Sequence, residues 1–350
     1  MGNFIGTLNA NHIQSALFNM IISQDIIGGS IKNNYNLVDK AKEEAGLLGD
    51  KKLYIDTPNI TPVDWVQDSE EALNLLKLAR PAAPATQEIT IDVFKQSAVT
   101  KDAYLSRQAF GTENAFVAYQ GVLDSRLVKS KEVYLNKTYN TFIGTTATQV
   151  TENVDTADGG NSTGENIAYA IANLIDDMKD YNTKYTGNGF ERAFGPEDIH
   201  IIWNNKYVNG IRRIEVPSLF EPDAITEVFK GDVLPSRYFG TANAHTTSTA
   251  TDRAMHDLYI TYDTNKVKYV AAGDLIGEGY TITAGDAYTV NDKIICKVFT
   301  KLPPLLEAFT VGTSFFNPKN LSTTSYYSFG HNTLEKLASE ASVVVVDTAE

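Results

Sequence analysis

The stretch that most restricts how this chain can fold runs from Thr112 to Thr141, TENAFVAYQGVLDSRLVKSKEVYLNKTYNT, and contains no proline. Phe116, Tyr119, Leu123, Leu127 and Tyr134 recur at steps of three, four, four and seven. On a helix of roughly 3.6 residues per turn that spacing makes one apolar stripe. Thr112 stands where an N-cap belongs, Glu113 complements the positive end of the helix dipole, and Gly144 predicts a left-handed stop. At about 1.5 Å per residue the helix spans roughly 45 Å, several times the usual globular length. Gly121 inside it predicts a local bend or a close packing contact. A single helix of this length in a strand-rich chain acts as a strut for the remaining elements.

Upstream, residues 1–50 read as an arm, with a short helical stripe of His12, Ile13, Ala16, Leu17 and Met20. Lys52 to Asp56 (KLYID) alternates like a strand and runs into Pro58, Pro62 and Trp65. Asp68 to Leu78 is predicted as a short helix, and ARPAAPA at 79–85 is the strongest break in the chain, since proline removes both helical dihedrals and donors. Glu88 to Phe94 (EITIDVF) is a second strand, and Ser97 to Gln108 continues extended. Two strands around a proline-bearing insert describe a two-stranded loop reaching away from the body, or an ordinary surface hairpin.

Downstream, Thr145 to Thr151 reads as a strand and Asp155 to Gly164 (DTADGGNSTG) as a polar loop. That loop lacks the alternating acidic spacing of a calcium site and the Gly-Lys-Ser/Thr ending of a phosphate loop, so it reads as a connection. Ser162 and Glu165 form a capping box for a second helix with Ile167, Ile171, Leu174, Ile175, Met178 and Tyr181 on one face. A turn-rich stretch from Asn182 to Gly195 leads into a buried strand at Ile199–Trp203, then a short helix or strand at Tyr207–Ile214. Further strands are expected at Leu258–Tyr262, Val267–Ala271, Tyr280–Thr283 and Lys293–Phe299. After the break at LPPLLEAF (302–309) come a strand at Ser325–Phe329, a turn at Gly330, a short segment at Leu334–Leu337 and a buried strand at Val343–Val346. Helix followed by apolar strand makes the centre an α/β unit.

Composition narrows the function. With 43% hydrophobic and 21% charged residues the chain is globular, and its net charge of -13 argues against a protein that coats nucleic-acid phosphates with Lys and Arg. Cys296 is the only cysteine, so one chain forms neither a disulfide nor a thiolate metal cluster. The first residues lack the basic region of a secretory signal, and Gly6 stands where a myristoylation signal needs Ser or Thr. No run is long enough to span a membrane. His12, His200, His245, His256 and His331 lie apart, outside any metal-binding spacing, and no GxSxG elbow occurs. Cys296, flanked by apolar residues, reads as an inert buried thiol, and Asp176-Asp177 as a solvated helix face. No cofactor, metal or catalytic residue is expected.

The order of the parts resembles the major capsid protein of tailed bacteriophages, the Hong Kong 97-type fold shared with encapsulin shells. Those parts are an N-terminal arm, a two-stranded loop, a long helix, a central α/β region and returning strands. The resemblance looks nearest to small podophages of Gram-positive hosts, on Asn317-Pro318, the strand with Tyr326-Tyr327 and Phe329, and the run Val343–Val346. It implies an α+β fold with the arm at 1–50, the extended loop at 51–108, a peripheral domain with the spine helix at 109–150 and 309–350, and an axial domain at 151–308. It also implies a shell built from pentamers and hexamers around double-stranded DNA touched only weakly, with scaffolding, portal and decoration partners and no cofactor. On that reading Trp65, Leu75, Leu76, Arg80, Pro81 and Pro84 near the loop tip are candidate inter-subunit contacts, against intramolecular packing as the plain alternative. No Asn-Lys cross-linking pair is identified. An encapsulin-type compartment, another phage structural protein and a soluble α/β enzyme with dispersed catalytic residues remain open alternatives.

Overall fold

A computed structural model describes residues 37–43, 46–62, 80–102, 113–157, 163–211, 231–242, 254–255, 258–263, 266–270, 275–276, 280–281, 283–285 and 288–349. The helices are α1 (Leu37–Ala41), α2 (Glu113–Thr145), α3 (Thr163–Lys179) and α4 (Asn205–Ile211). The strands before the central region are β1 (Lys42–Glu43), β2 (Lys51–Asp56), β3 (Ala85–Asp102), β4 (Val150–Val154), β5 (His200–Asn204) and β6 (Gly231–Leu234). Short strands follow: β7 (Gly240–Ala242), β8 (Ala254–Met255), β9 (Leu258–Asp263), β10 (Lys266–Val270), β11 (Leu275–Ile276), β12 (Tyr280–Thr281), β13 (Thr283–Gly285) and β14 (Tyr288–Val290). The chain ends with β15 (Ile294–Phe299), β16 (Leu305–Leu306), β17 (Val311–Asn317), β18 (Ser322–Asn332), β19 (Leu334–Glu335) and β20 (Ser342–Asp347).

Two sheets carry the architecture. The five-stranded sheet has the order β4-β20-β15-β5-β6, with β20 parallel to β4, β5 parallel to β6 and β15 antiparallel to both neighbours. Its inner strands β20, β15 and β5 are mostly apolar on both faces because both are covered. On one face Ile202, Ile294 and Phe299 pack with Leu135, Tyr139, Phe142 and Ile143 of α2. On the other, Ile201, Trp203, Cys296, Val298, Val343 and Val345 pack with Ile167, Ile171, Leu174 and Met178 of α3. The predicted stripe of α3 is therefore real up to Met178; Tyr181 lies past the helix end and is exposed. The second sheet is antiparallel throughout, in the order β17-β18-β3-β2.

The long helix is present, and its environment changes along its length. Leu127 is buried while Tyr119, Leu123 and Tyr134 are half-buried, whereas every residue from Thr138 to Thr146 is buried. The stop expected at Gly144 and the packing contact expected at Gly121 are both absent. Gly144 stays inside the helix, where a Cβ would collide with the Tyr238 carbonyl, so glycine is there for close approach and not for a left-handed stop. Nothing lies near Gly121. The expected strand at Thr145–Thr151 begins only at Val150, because the helix takes Thr145.

The expected turn at Gly330 is also absent, since β18 runs through it. A Cβ at Gly330 would stand 3.0 Å from the Val93 carbonyl oxygen and 3.1 Å from the Ala308 Cβ, so this glycine lets three segments meet. β17 is a strand that periodicity did not indicate. The expected helix at Asp68–Leu78, the cap residues Thr112 and Ser162, and the extended stretch beyond Asp102 lie outside the described residues.

Candidate functional site

β2 and β3 form the expected two-stranded loop, in register from Lys51 opposite Thr90 to Asp56 opposite Ala85. The alternation of KLYID is turned inside out. Leu53 and Ile55 face solvent at 56% and 62% exposure, while Lys52, Tyr54 and Asp56 face the protein. Ile60, just past β2, is 85% exposed. A period of two puts the apolar set on one face of a strand, and here that face is uncovered within one chain.

The inward set explains the direction. Glu43 accepts a 2.7 Å hydrogen bond from Tyr54 Oη, pairs with Lys52 and lies 3.2 Å from the Lys301 ammonium. Burial alone would raise the Glu43 carboxyl, but the bonds from Lys52, Tyr54 and Lys301 outweigh it and hold it below the usual carboxylate value. Asp56 pairs with Arg192 and accepts 2.8 Å from Asn188 Nδ2. Arg192 also donates to the Thr57 carbonyl at 3.3 Å, and Asn59 Nδ2 to the Glu191 carbonyl at 3.0 Å. From β3, Gln87 donates to the Lys336 carbonyl and accepts from the Ala338 amide, both at 2.9 Å. The root of the loop is thus tied to three distant segments.

The helix carries the far half of β3. Ser130 Oγ donates to Ser97 Oγ at 2.8 Å, Lys101 pairs with Asp124, and Lys131 reaches Glu307 and Thr310 Oγ1, the latter at 2.7 Å. Opposite β2, the other edge of this sheet is β17, which exposes Val311, Phe315 and Phe316, with Phe309 before it and Leu321 after it. Leu321 holds a positive φ of 53° in the β17–β18 turn, a conformation that costs a leucine on the order of 1 kcal/mol. The pair Phe315-Phe316 before Asn317-Pro318 is the signal that marks this hairpin.

Of the candidate contacts, Arg80, Pro81 and Pro84 are described and exposed where the chain re-enters β3. Trp65, Leu75 and Leu76 lie outside the described residues.

Among the described residues no group of three or more His, Cys, Asp or Glu side chains is placed to hold a metal. Cys296 is buried, and burial pushes its thiol far above the usual value. His331 is buried between Tyr134 Oη, 3.0 Å from Nε2, and the Asn332 carbonyl, 2.7 Å from Nδ1. A carbonyl only accepts, so Nδ1 carries the proton and Nε2 accepts from Tyr134. A cleft of about 260 Å³ at the loop root is lined by Tyr54, Asp56, Gln87, Gln149, Asn188 and Lys336. No described helix is long and apolar enough to cross a membrane.

No protein-family description and no curated protein matches the chain. Solved structures do. A chain in the structure of the head fiber and inner core protein gp22 of native bacteriophage P68 superposes with a TM-score of 0.64 at 12% identity, covering 93% of this chain and 89% of that one. A chain of the capsid structure of Staphylococcus phage Andhra superposes with a TM-score of 0.60 at 12% identity, covering 95% of this chain and 91% of that one. The chain has the α+β fold of tailed-phage capsid subunits, the Hong Kong 97-type class that the order of its parts implied.

Proposed function

We propose that this chain is the repeating subunit of a bacteriophage head: a major capsid protein, structural and without enzymatic activity, that assembles with itself into pentamers and hexamers around double-stranded DNA. The observation that carries this reading is the outward apolar face of β2. An edge strand exposing Leu53 and Ile55 while turning Lys52, Tyr54 and Asp56 inward is unfavourable unless a neighbour covers it. The exposed apolar edge at β17 on the opposite side of the same sheet supports it, since complementary patches at two ends of a subunit generate rings when the rotation closes. A capsid chain of phage Andhra with the same fold supports it as well.

On this reading residues 1–50 are the arm, 51–108 the extended loop, 109–150 and 309–350 the peripheral domain with α2 as its spine, and 151–308 the axial domain. β20 crosses back into the axial sheet. The loop tip, with Trp65, Leu75, Leu76, Arg80, Pro81 and Pro84, lies across a neighbour. The net charge of -13 suits a wall that contacts packaged DNA weakly, with scaffolding, portal and decoration proteins as the other partners.

The test is size-exclusion chromatography with negative-stain electron microscopy on the protein expressed alone and with a candidate scaffold. Closed shells, tubes or capsomer rings are expected. A monomer or dimer under every condition overturns the reading.

A further inference from the structure

The C-terminal end of α2 is held by two lysines that come from different parts of the chain. Lys297, at the centre of β15, sends its ammonium to the Thr146 carbonyl at 2.7 Å and is 2% exposed. Lys336, just past β19, sends its ammonium to the next carbonyl, Ala147, also at 2.7 Å, and is 7% exposed. Both occupy the place where a helix leaves its last carbonyls unpaired and where its dipole is negative, so each cation has a reason to be there. Neither ammonium meets a carboxylate among the described residues.

The strand neighbours of Lys297 are Ile202 on β5 and Val344 on β20. Lys336 faces the cleft that also holds Glu335, Asp56 and Tyr54, and of these Asp56 is engaged by Arg192 and Asn188 and Tyr54 by Glu43. Two like charges are therefore buried side by side with carbonyl oxygens as their partners. The side-chain oxygens of Thr138, Asn140, Thr141 and Thr146 are buried without a hydrogen-bond partner among the described residues.

We propose that the protons on Lys297 and Lys336 set how tightly the end of α2 is fastened to β15 and to the segment after β19, and that this junction loosens when both lysines are charged. A neutral amine still donates to a carbonyl, so losing the protons removes mutual repulsion and the cost of burying charge while keeping both bonds. Burial, with the Lys336 charge behind it, lowers the Lys297 ammonium to about 7, and burial lowers Lys336 to about 8. From there up to the ordinary lysine value the unfolded chain holds protons that the folded chain has released, so the junction gains stability as pH rises through this window. The device is a property of one chain and holds whether or not copies assemble.

Hydrogen exchange of the full chain, corrected for the intrinsic pH dependence of exchange, reads the junction directly at the amides of residues 142–149. Between about pH 6 and about pH 9 their protection is expected to rise at least about tenfold relative to the amides of β3. In Lys336→Met, the less buried position, the rise is expected to shrink to the part that Lys297 contributes, and in Lys297→Met the protection at low pH is expected to lie above that of the unaltered chain. Lys336→Arg, which stays charged, should hold protection at about pH 9 below that of the unaltered chain. A flat profile in the unaltered chain, or an undiminished rise in Lys336→Met and Lys336→Arg, overturns it.

Discussion

Asp56 sits at the last residue of the outgoing loop strand, 8% exposed, and both of its partners come from the turn-rich segment before β5. Asp56→Ala removes the anion and leaves the Arg192 guanidinium without its carboxylate, so unfolding free energy measured in urea should fall by about 2 kcal/mol, with Asn188→Ala costing about half of that. His331 makes a separate prediction in pH. Burial lowers its imidazole to about 4, outweighing the Asn332 carbonyl that raises it. Between that value and the unfolded value of about 6.5, the unfolded chain binds a proton that the folded chain excludes. Stability should therefore drop as pH falls through this window, by an amount on the order of 3 kcal/mol when complete. His331→Gln, which does not titrate, should flatten urea-derived stability between about pH 6.5 and about pH 4. Neither partner set was legible in the sequence, because His331 meets Tyr134 and Asp56 meets Arg192 across separations that no local pattern encodes.

The elements were legible where one period held over many residues. α2 and α3 follow from their apolar stripes, and β2, β3 and β20 from alternation or an unbroken valine run. β17 was not, because VGTSFFN mixes small, polar and aromatic residues without a period on a strand exposed on both faces. Glycine was misread for a related reason, since sequence shows its freedom and not which use the fold makes of it. Two glycines of one helix separate these uses. Gly121 is exposed with nothing nearby, so Gly121→Ala should stabilise the protein by roughly 0.5–1 kcal/mol. Gly144→Ala drives a methyl into the Tyr238 carbonyl and should destabilise it by about 2 kcal/mol. Chemical denaturation of the two variants in parallel checks both signs; equal effects would mean that the close approach at Gly144 is not what selects glycine there.

At the scale of the whole molecule, the alternation of KLYID says that Leu53 and Ile55 share a face, and says nothing about whether that face looks inward. The direction is settled by Glu43, Arg192 and Lys301, which lie elsewhere in the chain. One strand therefore separates two properties that usually move together. The inward face of β2 holds the loop to the body, and the outward face is free to be covered by another copy. Leu53→Asp and Ile55→Asp place charge where the single chain is already solvated, so unfolding free energy should change by no more than about 0.5 kcal/mol. The same charge placed against an apolar neighbour is expensive to desolvate, so shells or capsomer rings should be lost while the monomer stays folded. Tyr54→Phe, on the inward face, should do the reverse: it takes the hydroxyl from Glu43, lowers stability by about 1 kcal/mol and leaves assembly intact. Phe315→Asp on the opposite edge should behave like Leu53→Asp. Urea midpoints set beside size-exclusion profiles and negative-stain images separate the outcomes. If the outward variants assemble as well as the unaltered chain, the exposed face of β2 is not a subunit contact and the loop must engage its neighbour through another surface.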